Sequence, residues 1–308
     1  MKINFINSNL ISGSPIDSRI TAFKKFFTIT EANKFDKAEG YTFISMPPFR
    51  NFKYFFNQKN KIILDIRDGW SIAQKTGYGG LCKKKPFKSI ITRIIERLMI
   101  RHSYLTITCT NGLQKYLREL SGKEILLIPN GVSDEDYDLA QKLKKQKQKD
   151  KAKKELVFCC AGQFSEYGID KVKKLCNTII NRYSGKKILI QLIGTNQNKN
   201  KWLTNYLNTI SNDVHLEILP KMNREELYKT INNADFGMTI LRDPAYEFGT
   251  KIYDYIALGL PVVNYFEEPN NFTRYFDPCL DIPFNKSTSI PEIRRSKLIE
   301  LAFKEYKQ

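Results

Sequence analysis

The chain is poor in the residues that build metal sites and nucleophilic triads. Among its 308 residues are two histidines, His102 and His215, and six cysteines, at 82, 109, 159, 160, 176 and 279, with no Cys-x-x-Cys pair and no histidine cluster near them. That spacing offers no set of nitrogen and sulfur ligands, so no metal site is expected. Cys159 and Cys160 fall in the apolar run 156–161 and read as buried, reduced thiols. No Ser-His-Asp set and no Gly-Lys-Ser/Thr phosphate loop is recognisable, which disfavours a hydrolase and a P-loop NTPase. No apolar run approaches the roughly 20 residues of a membrane-spanning helix. The first residues lack the basic start and long apolar stretch of a secretion signal, so the expected location is cytoplasmic. Acidic residues are scarce as well: 32 Asp+Glu against 50 Lys+Arg leave a formal net charge of +18. Such an excess seeks an anionic partner, whether nucleic acid, lipid headgroups or an acidic nucleotide.

Apolar and aromatic residues are plentiful, with 42% hydrophobic content, twenty phenylalanines and sixteen tyrosines. That supports a substantial core, and a chain beyond about 250 residues is expected to split into two domains. Residues 141–154, rich in lysine and glutamine, read as a hydrophilic linker or a charged helix. The boundary is therefore expected there, between a domain over 1–140 and another over 155–290, with a last helix in 291–308. Before it, strands are expected at 2–6, 41–45, 61–66, 104–108 and 124–128, with helices from about 17 and 111 and a long loop over 67–88. After it, strands at 156–161, 187–193, 214–219 and 236–241 alternate with helices, one of them opening at Asn223 with Glu226 as a capping box. Both halves are α/β, and the second reads as a Rossmann-like nucleotide domain.

Two basic clusters locate the charge. Besides the linker, Lys83, Lys84, Lys85 and Lys88 lead into Arg93, Arg97 and Arg101, with Ile90, Ile91, Ile94, Ile95, Leu98 and Met99 between them at helical spacing. Two readings fit: a helix packed on the core with a solvated cationic face, or a helix that meets anionic headgroups. Neither cluster has interleaved aromatics and no reading motif is present, so nucleic acid is not the expected partner.

The densest motif is EFGTKIYDYIALGLPVV, residues 247–263. Ile252, Tyr255 and Ile256 recur at helical spacing, Gly259 ends the helix, and Leu260, Pro261, Val262 and Val263 read as a buried strand. Gly249 and Thr250 open that helix, whose unpaired amides and dipole favour a diphosphate. Lys251 adds a cation, and Asp254 offers two oxygens to a ribose diol.

This segment resembles the donor-site signature P-x-K-x-x-E-Y-x-A-x-G-x-P-V-V of GT-B glycosyltransferases, especially the retaining glycosyltransferase 4 or group 1 type, with Gly249 in place of proline and Asp254 in place of glutamate. Further pieces resemble the same family: Ser45-Met46-Pro47-Pro48, the run Asp65 to Trp70 against D-x-R-D-P-W with Gly69 for proline, and Pro129-Asn130-Gly131-Val132. The resemblance implies two Rossmann-like domains facing each other across a cleft, and transfer of a sugar from a nucleotide-sugar donor, UDP-linked or else GDP-linked, with no cofactor or metal. It implies that Glu247 contacts the transferred sugar and that Glu247, Lys251 and Asp68 are catalytic. Where the strand end opens into a loop, either Arg67 or Asp68 meets the acceptor or leaving phosphate, or the Asp and Arg pair only fixes the loop. Gly13 permits close approach of a ligand or makes a turn. The acceptor would be a surface-polysaccharide, lipopolysaccharide or capsule glycan, or a lipid-linked one, at the inner face of the cell membrane. One departure stands out. Where the family carries G-R and K-G to hold the diphosphate, this chain has Gly162-Gln163 and Tyr167-Gly168, leaving Arg242 and Lys251 as the donor-site cations. A non-catalytic partner subunit or membrane-surface scaffold therefore stays open beside the transferase, as does a GT-B sugar epimerase.

Overall fold

Each half of the chain lays its apolar runs side by side as parallel strands. The computed structural model describes residues 2–6, 15–32, 41–47, 49–55, 60–77, 83–147, 155–285 and 289–306; Gly13, Pro48 and Cys82 lie outside them. Two units emerge: Met1–Ser133 with Ala245–Glu247 and Glu292–Gln308, and Asp134–Pro244 with Phe248–Pro291.

In the first unit the elements are β1 (Lys2–Ile6), α1 (Pro15–Lys24), β2 (Thr28–Ala32), β3 (Tyr41–Met46), α2 (Phe52–Phe55), β4 (Lys61–Ile66), α3 (Trp70–Thr76), α4 (Pro86–His102), β5 (Leu105–Thr108), α5 (Asn111–Ser121) and β6 (Leu126–Leu127). The sheet order is β2-β1-β3-β4-β5-β6, parallel throughout. Side chains alternate across its faces. Phe43 and Ile63 pack with Ile20, Phe23 and Ile107 on one side, while Ile44 and Leu64 pack with Met99, Ile100, Leu113 and Leu117 on the other. Burial on both faces explains why these strands read as continuous apolar runs.

The region expected as a long loop contains α3. Its start is capped from a distance: the Glu96 carboxylate of α4 accepts from the amides of Trp70 at 2.8 Å and Ser71 at 3.3 Å, and from the Ser71 hydroxyl. Helix-opening amides need such a partner, and this one comes from 25 or more residues away. Burial raises the Glu96 carboxyl above its ordinary pKa, against the pull of the Ser71 and Trp70 donors. Gly69 is fixed by space, since a Cβ there would lie 2.6 Å from Ile72 Cγ2 and 2.8 Å from Leu113 Cδ1. The α4 helix sits with its polar side inward: Ser89, Thr92 and Glu96 are buried beside Met99 and Ile100, while Phe87, Ile90, Ile91, Ile94 and Leu98 are exposed.

The second unit opens with α6 (Asp134–Gln146), which takes in the first part of the expected linker; residues 148–154 lie outside the description. Helix α6 packs on two later helices of its own unit, so the boundary falls at Ser133. There follow β7 (Glu155–Ala161), α7 (Ile169–Arg182), β8 (Lys187–Ile193), α8 (Gln197–Ile210), β9 (Val214–Leu219), α9 (Arg224–Asn233), β10 (Phe236–Met238), α10 (Lys251–Ala257), β11 (Val262–Val263) and α11 (Asn271–Phe276). Strand order is β11-β10-β7-β8-β9, again parallel. Counted from β7 this is 5-4-1-2-3, five of the six strands of the Rossmann order 3-2-1-4-5-6 in reverse, and the order reverses between β7 and β10. The α9 capping box is present, with Asn223 and Glu226 bonding each other's backbone.

The last helix, α12 (Arg295–Tyr306), belongs to the first unit, where Leu298, Ile299 and Ala302 complete the core around Ile20 and Phe23. Its approach is tied to the 129–132 segment: Val132 N donates to Ile293 O at 2.7 Å, and Arg295 donates to Asn130 O and Gly131 O at 2.6 and 2.7 Å. Gly131 has φ +60°, and a Cβ there would lie 2.6 Å from Ile293 O. Among the described residues no helix is long and apolar enough to cross a membrane.

Candidate functional site

Ligands of open parallel sheets settle at the carboxyl ends of strands, where the strand order reverses. In the second unit that point holds a cavity of about 60 Å³, lined by Cys160 and Ala161 from the end of β7, by Met238 to Ile240 at and beyond the end of β10, and by Gln163, Tyr167, residues 249–252 and Tyr255. Two features shape it. Gly237 leaves room for the Tyr255 ring, whose Cδ2 would be 2.5 Å from a Cβ on that glycine. The Tyr255 hydroxyl in turn accepts from Ala161 N at 3.0 Å and so fixes the end of β7. Burial raises the Tyr255 hydroxyl well above its ordinary pKa, and pushes the Cys160 thiol up to about 12, so neither ionises near neutrality.

The start of α10 faces this cavity through Gly249, Thr250 and Lys251. Gly249 has φ +67°, a conformation closed to proline, whose ring holds φ near about −65°. The glycine that replaces the family's proline thus gives this loop its own path. Gly162 takes φ +97° after β7, with its amide donating to Ile193 O at 2.9 Å.

The two positions that lack the family's cations are served by Arg242. Its guanidinium lies 4.6 Å from the centre of the Tyr167 ring and donates to Gln163 Oε1 at 3.1 Å. Lys171, near the start of α7, holds the loop after β10 that carries it, donating to the carbonyls of Leu241 at 3.0 Å and Arg242 at 2.6 Å. A positive charge therefore stands beside Gln163 and Tyr167 although neither side chain supplies one.

Asp254 has a different setting from the one the motif implies. It is 3% exposed and does not line the cavity. Arg224 donates to its two oxygens at 2.7 and 3.3 Å, the Tyr228 hydroxyl donates to one at 2.7 Å, and Lys251 Nζ lies 3.3 Å from the other. Arg224 also grips Asp136 of α6 at 2.8 and 2.9 Å. Burial pushes the Asp254 carboxyl up, but Lys251 and Arg224 pull it further down, below its ordinary pKa. Burial and the Asp254 charge raise Tyr228. Both Asp254 oxygens are engaged, so the chelation of a ribose diol expected of it is not what this geometry shows; its carboxylate holds Lys251 and ties α10 to α9, and Arg224 carries the link on to α6.

Sequence reasoning missed Arg224, Tyr228, Tyr255 and Lys171. Arg224 had a signal: a cation in the first turn of a helix opposes the dipole and needs acids to hold it. The runs Asp134-Glu135-Asp136 and Asp136-Tyr137-Asp138 have Asp-x-Asp spacing, but they open α6, where Asp136 is occupied by Arg224. Among the described residues no cluster of three or more His, Cys, Asp or Glu side chains is placed to hold a metal ion.

The remaining expected site residues belong to the first unit. Arg67, at the end of β4, donates to Pro47 O at 3.1 Å and pairs with Asp65 at 3.9 Å. Asp65 is itself buried against Arg19 at 3.0 Å. These contacts fix the loop after β3. Asp68 is half-buried beside them. Glu247 joins the first unit with Ala245 and Tyr246, whose carbonyl accepts from Thr110 at 2.9 Å, whereas Phe248 onward joins the second. The structure thus brings Gly162, Gln163, Arg242, Gly249, Thr250 and Lys251 together and leaves Glu247, Arg67 and Asp68 with the other unit.

Two parallel sheets in one chain, the second with its crevice between β7 and β10, match solved structures over nearly their whole length. The chain has the GT-B fold. Sucrose-phosphate synthase from Thermosynechococcus elongatus aligns over 99% of this chain and 89% of its own, at 12% identity and a TM-score of 0.57. The HepE protein of Anabaena, in complex with UDP-glucose, aligns over 100% and 90%, at 14% identity and 0.56. A UDP-forming trehalose-phosphate synthase from Burkholderia xenovorans, in complex with glucose-6-phosphate, aligns over 99% and 96%, at 9% identity and 0.59. No family model matches the sequence and no curated protein matches it. In GT-B terms the cavity lies in the C-terminal Rossmann-like half.

Proposed function

We propose that the chain is a metal-independent glycosyltransferase that moves a sugar from a UDP-sugar to a glycan or lipid-linked acceptor, with retention, at the inner face of the cell membrane. The observation that carries this reading is one cavity at the strand-order reversal, lined by Lys251 and the start of α10 together with Gln163 and Tyr167, the two residues that Arg242 contacts. A cavity of about 60 Å³ is far below the roughly 300 Å³ of a small-ligand pocket, so it seats part of the diphosphate while nucleoside and sugar lie outside it. Solved proteins of this fold hold UDP-glucose or are UDP-forming, which favours UDP over GDP as the leaving group.

The chemistry needs little covalent help. The bond from the sugar's anomeric carbon to the β-phosphate oxygen breaks, the acceptor oxygen bonds that carbon, and the acceptor proton passes to the leaving phosphate. The diphosphate gains charge as it departs, so fixed cations and amide dipoles aimed at it lower the barrier. Lys251 and Arg242 supply the cations, Gln163, Gly162, Gly249 and Thr250 shape the cradle, and Asp254 orients Lys251. Glu247 contacts the transferred sugar, and Arg67 and Asp68 serve the acceptor.

The test is a thermal-shift series with UDP, GDP, ADP and CMP. At a ligand concentration 100 times Kd, binding stabilises by about 2.7 kcal/mol. UDP alone is expected to raise the midpoint, and Lys251→Ala and Arg242→Ala are each expected to remove the shift while keeping the fold. A full shift in both variants would reject the site. The occupied Asp254 favours a second reading, a non-transferring subunit, and that protein would bind UDP yet release none from any UDP-sugar.

A further inference from the structure

Helix α4 is built inside out. At about 100° per residue, Phe87, Ile90, Ile91, Ile94 and Leu98 fall within roughly 100° of arc, and they are 84%, 61%, 61%, 56% and 41% exposed. The opposite side carries Ser89, Thr92 and Glu96, all buried, with Glu96 locked onto the start of α3. Thr92 likewise bonds Gln74 at 3.1 Å. The anchoring of α4 thus relies on polar groups together with Ile95, Met99 and Ile100, while the apolar ridge stays largely exposed. Exposed cations border the ridge: Arg93, Arg97 and Arg101 run along one flank, and Lys83, Lys84, Lys85 and Lys88 stand at its N-terminal end.

We infer that α4 docks on an anionic lipid bilayer, laying the ridge among the acyl chains while the seven cations meet headgroup phosphates. An amphipathic helix with an apolar ridge and basic flanks lies in the plane of such a surface. Charge selects lipid over the other occupants. A second copy of the chain would bring two cationic borders together, and the like charges would repel. Nucleic acid would satisfy the cations but leave three isoleucines and a leucine against a phosphate backbone that offers them nothing. The inference deepens the membrane-face reading above and needs nothing from the nucleotide site.

The test is flotation of the full chain on phosphatidylcholine vesicles with and without roughly 30% phosphatidylglycerol, at low and high salt. Wild type is expected to float only with the anionic vesicles. Arg93→Gln/Arg97→Gln/Arg101→Gln is expected to weaken partitioning about a hundredfold, at about 1 kcal/mol for each basic residue near the surface. Ile91→Ser/Ile94→Ser is expected to weaken it about tenfold or more at both salt levels, because the ridge term is not screened. The fluorescence of an Ile94→Trp variant should be quenched by brominated acyl chains, a readout that needs no loss of binding. Anionic flotation that both multiple variants retain, with no quenching in Ile94→Trp, would place the membrane contact elsewhere, overturning α4 and sparing the membrane-face reading. Failure of wild type to float on any vesicle would overturn both and leave UDP binding untouched. A dimer lost in Ile91→Ser/Ile94→Ser, with no flotation, would make the ridge a self-association surface instead.

Discussion

Removing the Arg224 guanidinium strands a buried carboxylate. Asp254 would keep only the Tyr228 hydroxyl and Lys251 Nζ, at 2.7 and 3.3 Å. Breaking one side of a fully buried ion pair costs about 3–5 kcal/mol. Because the Arg224 side chain is 39% exposed and a lysine remains, Arg224→Ala is expected to cost about 2 kcal/mol, below that range. For a unit of this size that lowers the midpoint by about 4–8 °C. The decisive comparison adds Asp254→Asn. If the loss comes from an uncompensated charge, the double variant should be more stable than Arg224→Ala alone, recovering about 1 kcal/mol. The pH dependence has a definite sign. The folded carboxyl sits below the ordinary aspartate value of 3.8, so its stabilisation is whole above that value and is lost as pH falls through the folded pKa. Urea denaturation should show the widest gap between wild type and Arg224→Ala near neutrality, closing below about pH 4. Additive losses in the double variant, or a gap that persists in acid, would refute the reasoning.

Two further changes probe the local arguments. Gly249→Ala is expected to cost about 1–2 kcal/mol, because an L-residue resists positive φ, and Gly249→Pro should cost more and abolish the UDP-induced shift; a proline variant as stable as wild type would contradict the φ of +67°. Glu96 is raised above its ordinary value of 4.5, so its contribution is whole below that value and falls as pH rises through the folded pKa. Wild-type stability relative to Glu96→Gln should therefore decline above about pH 4.5, as read by urea midpoints, and an advantage that grows with pH would reverse the sign.

The fold was largely legible in the sequence because its strands are buried on both faces and its helices carry standard stops. Residues 61–66 and 187–193 mark β4 and β8 to the residue, and Gly259 does end α10 with φ +73°. What escaped was held by long-range partners. Helix α3 is missing from a local reading because its cap, Glu96, arrives from another helix. The strand expected over 236–241 stops at Met238, and of the two readings of the lysine-rich run, linker or charged helix, α6 takes the helical one as far as Gln146. At the site, the motif marked Lys251 and Gly249, but its spacing says nothing about Arg224, which meets Asp254 from 30 residues away. The missing cations beside Gln163 and Tyr167 were visible as absences. Arg242 was named there as a remaining cation, but its contacts with those two residues were not legible, since it is 79 residues from Gln163 along the chain.

The first unit is assembled from three stretches of chain, and its final helix supplies Leu298 and Ile299 to a core begun by Ile20 and Phe23. During synthesis the N-terminal sheet therefore has one face incomplete while the entire second unit is made and can fold. Domains usually mature in the order they leave the ribosome; here the later one is ready first. A chain that ended near residue 290 would carry a complete second unit and a first unit whose core lacks Leu298 and Ile299.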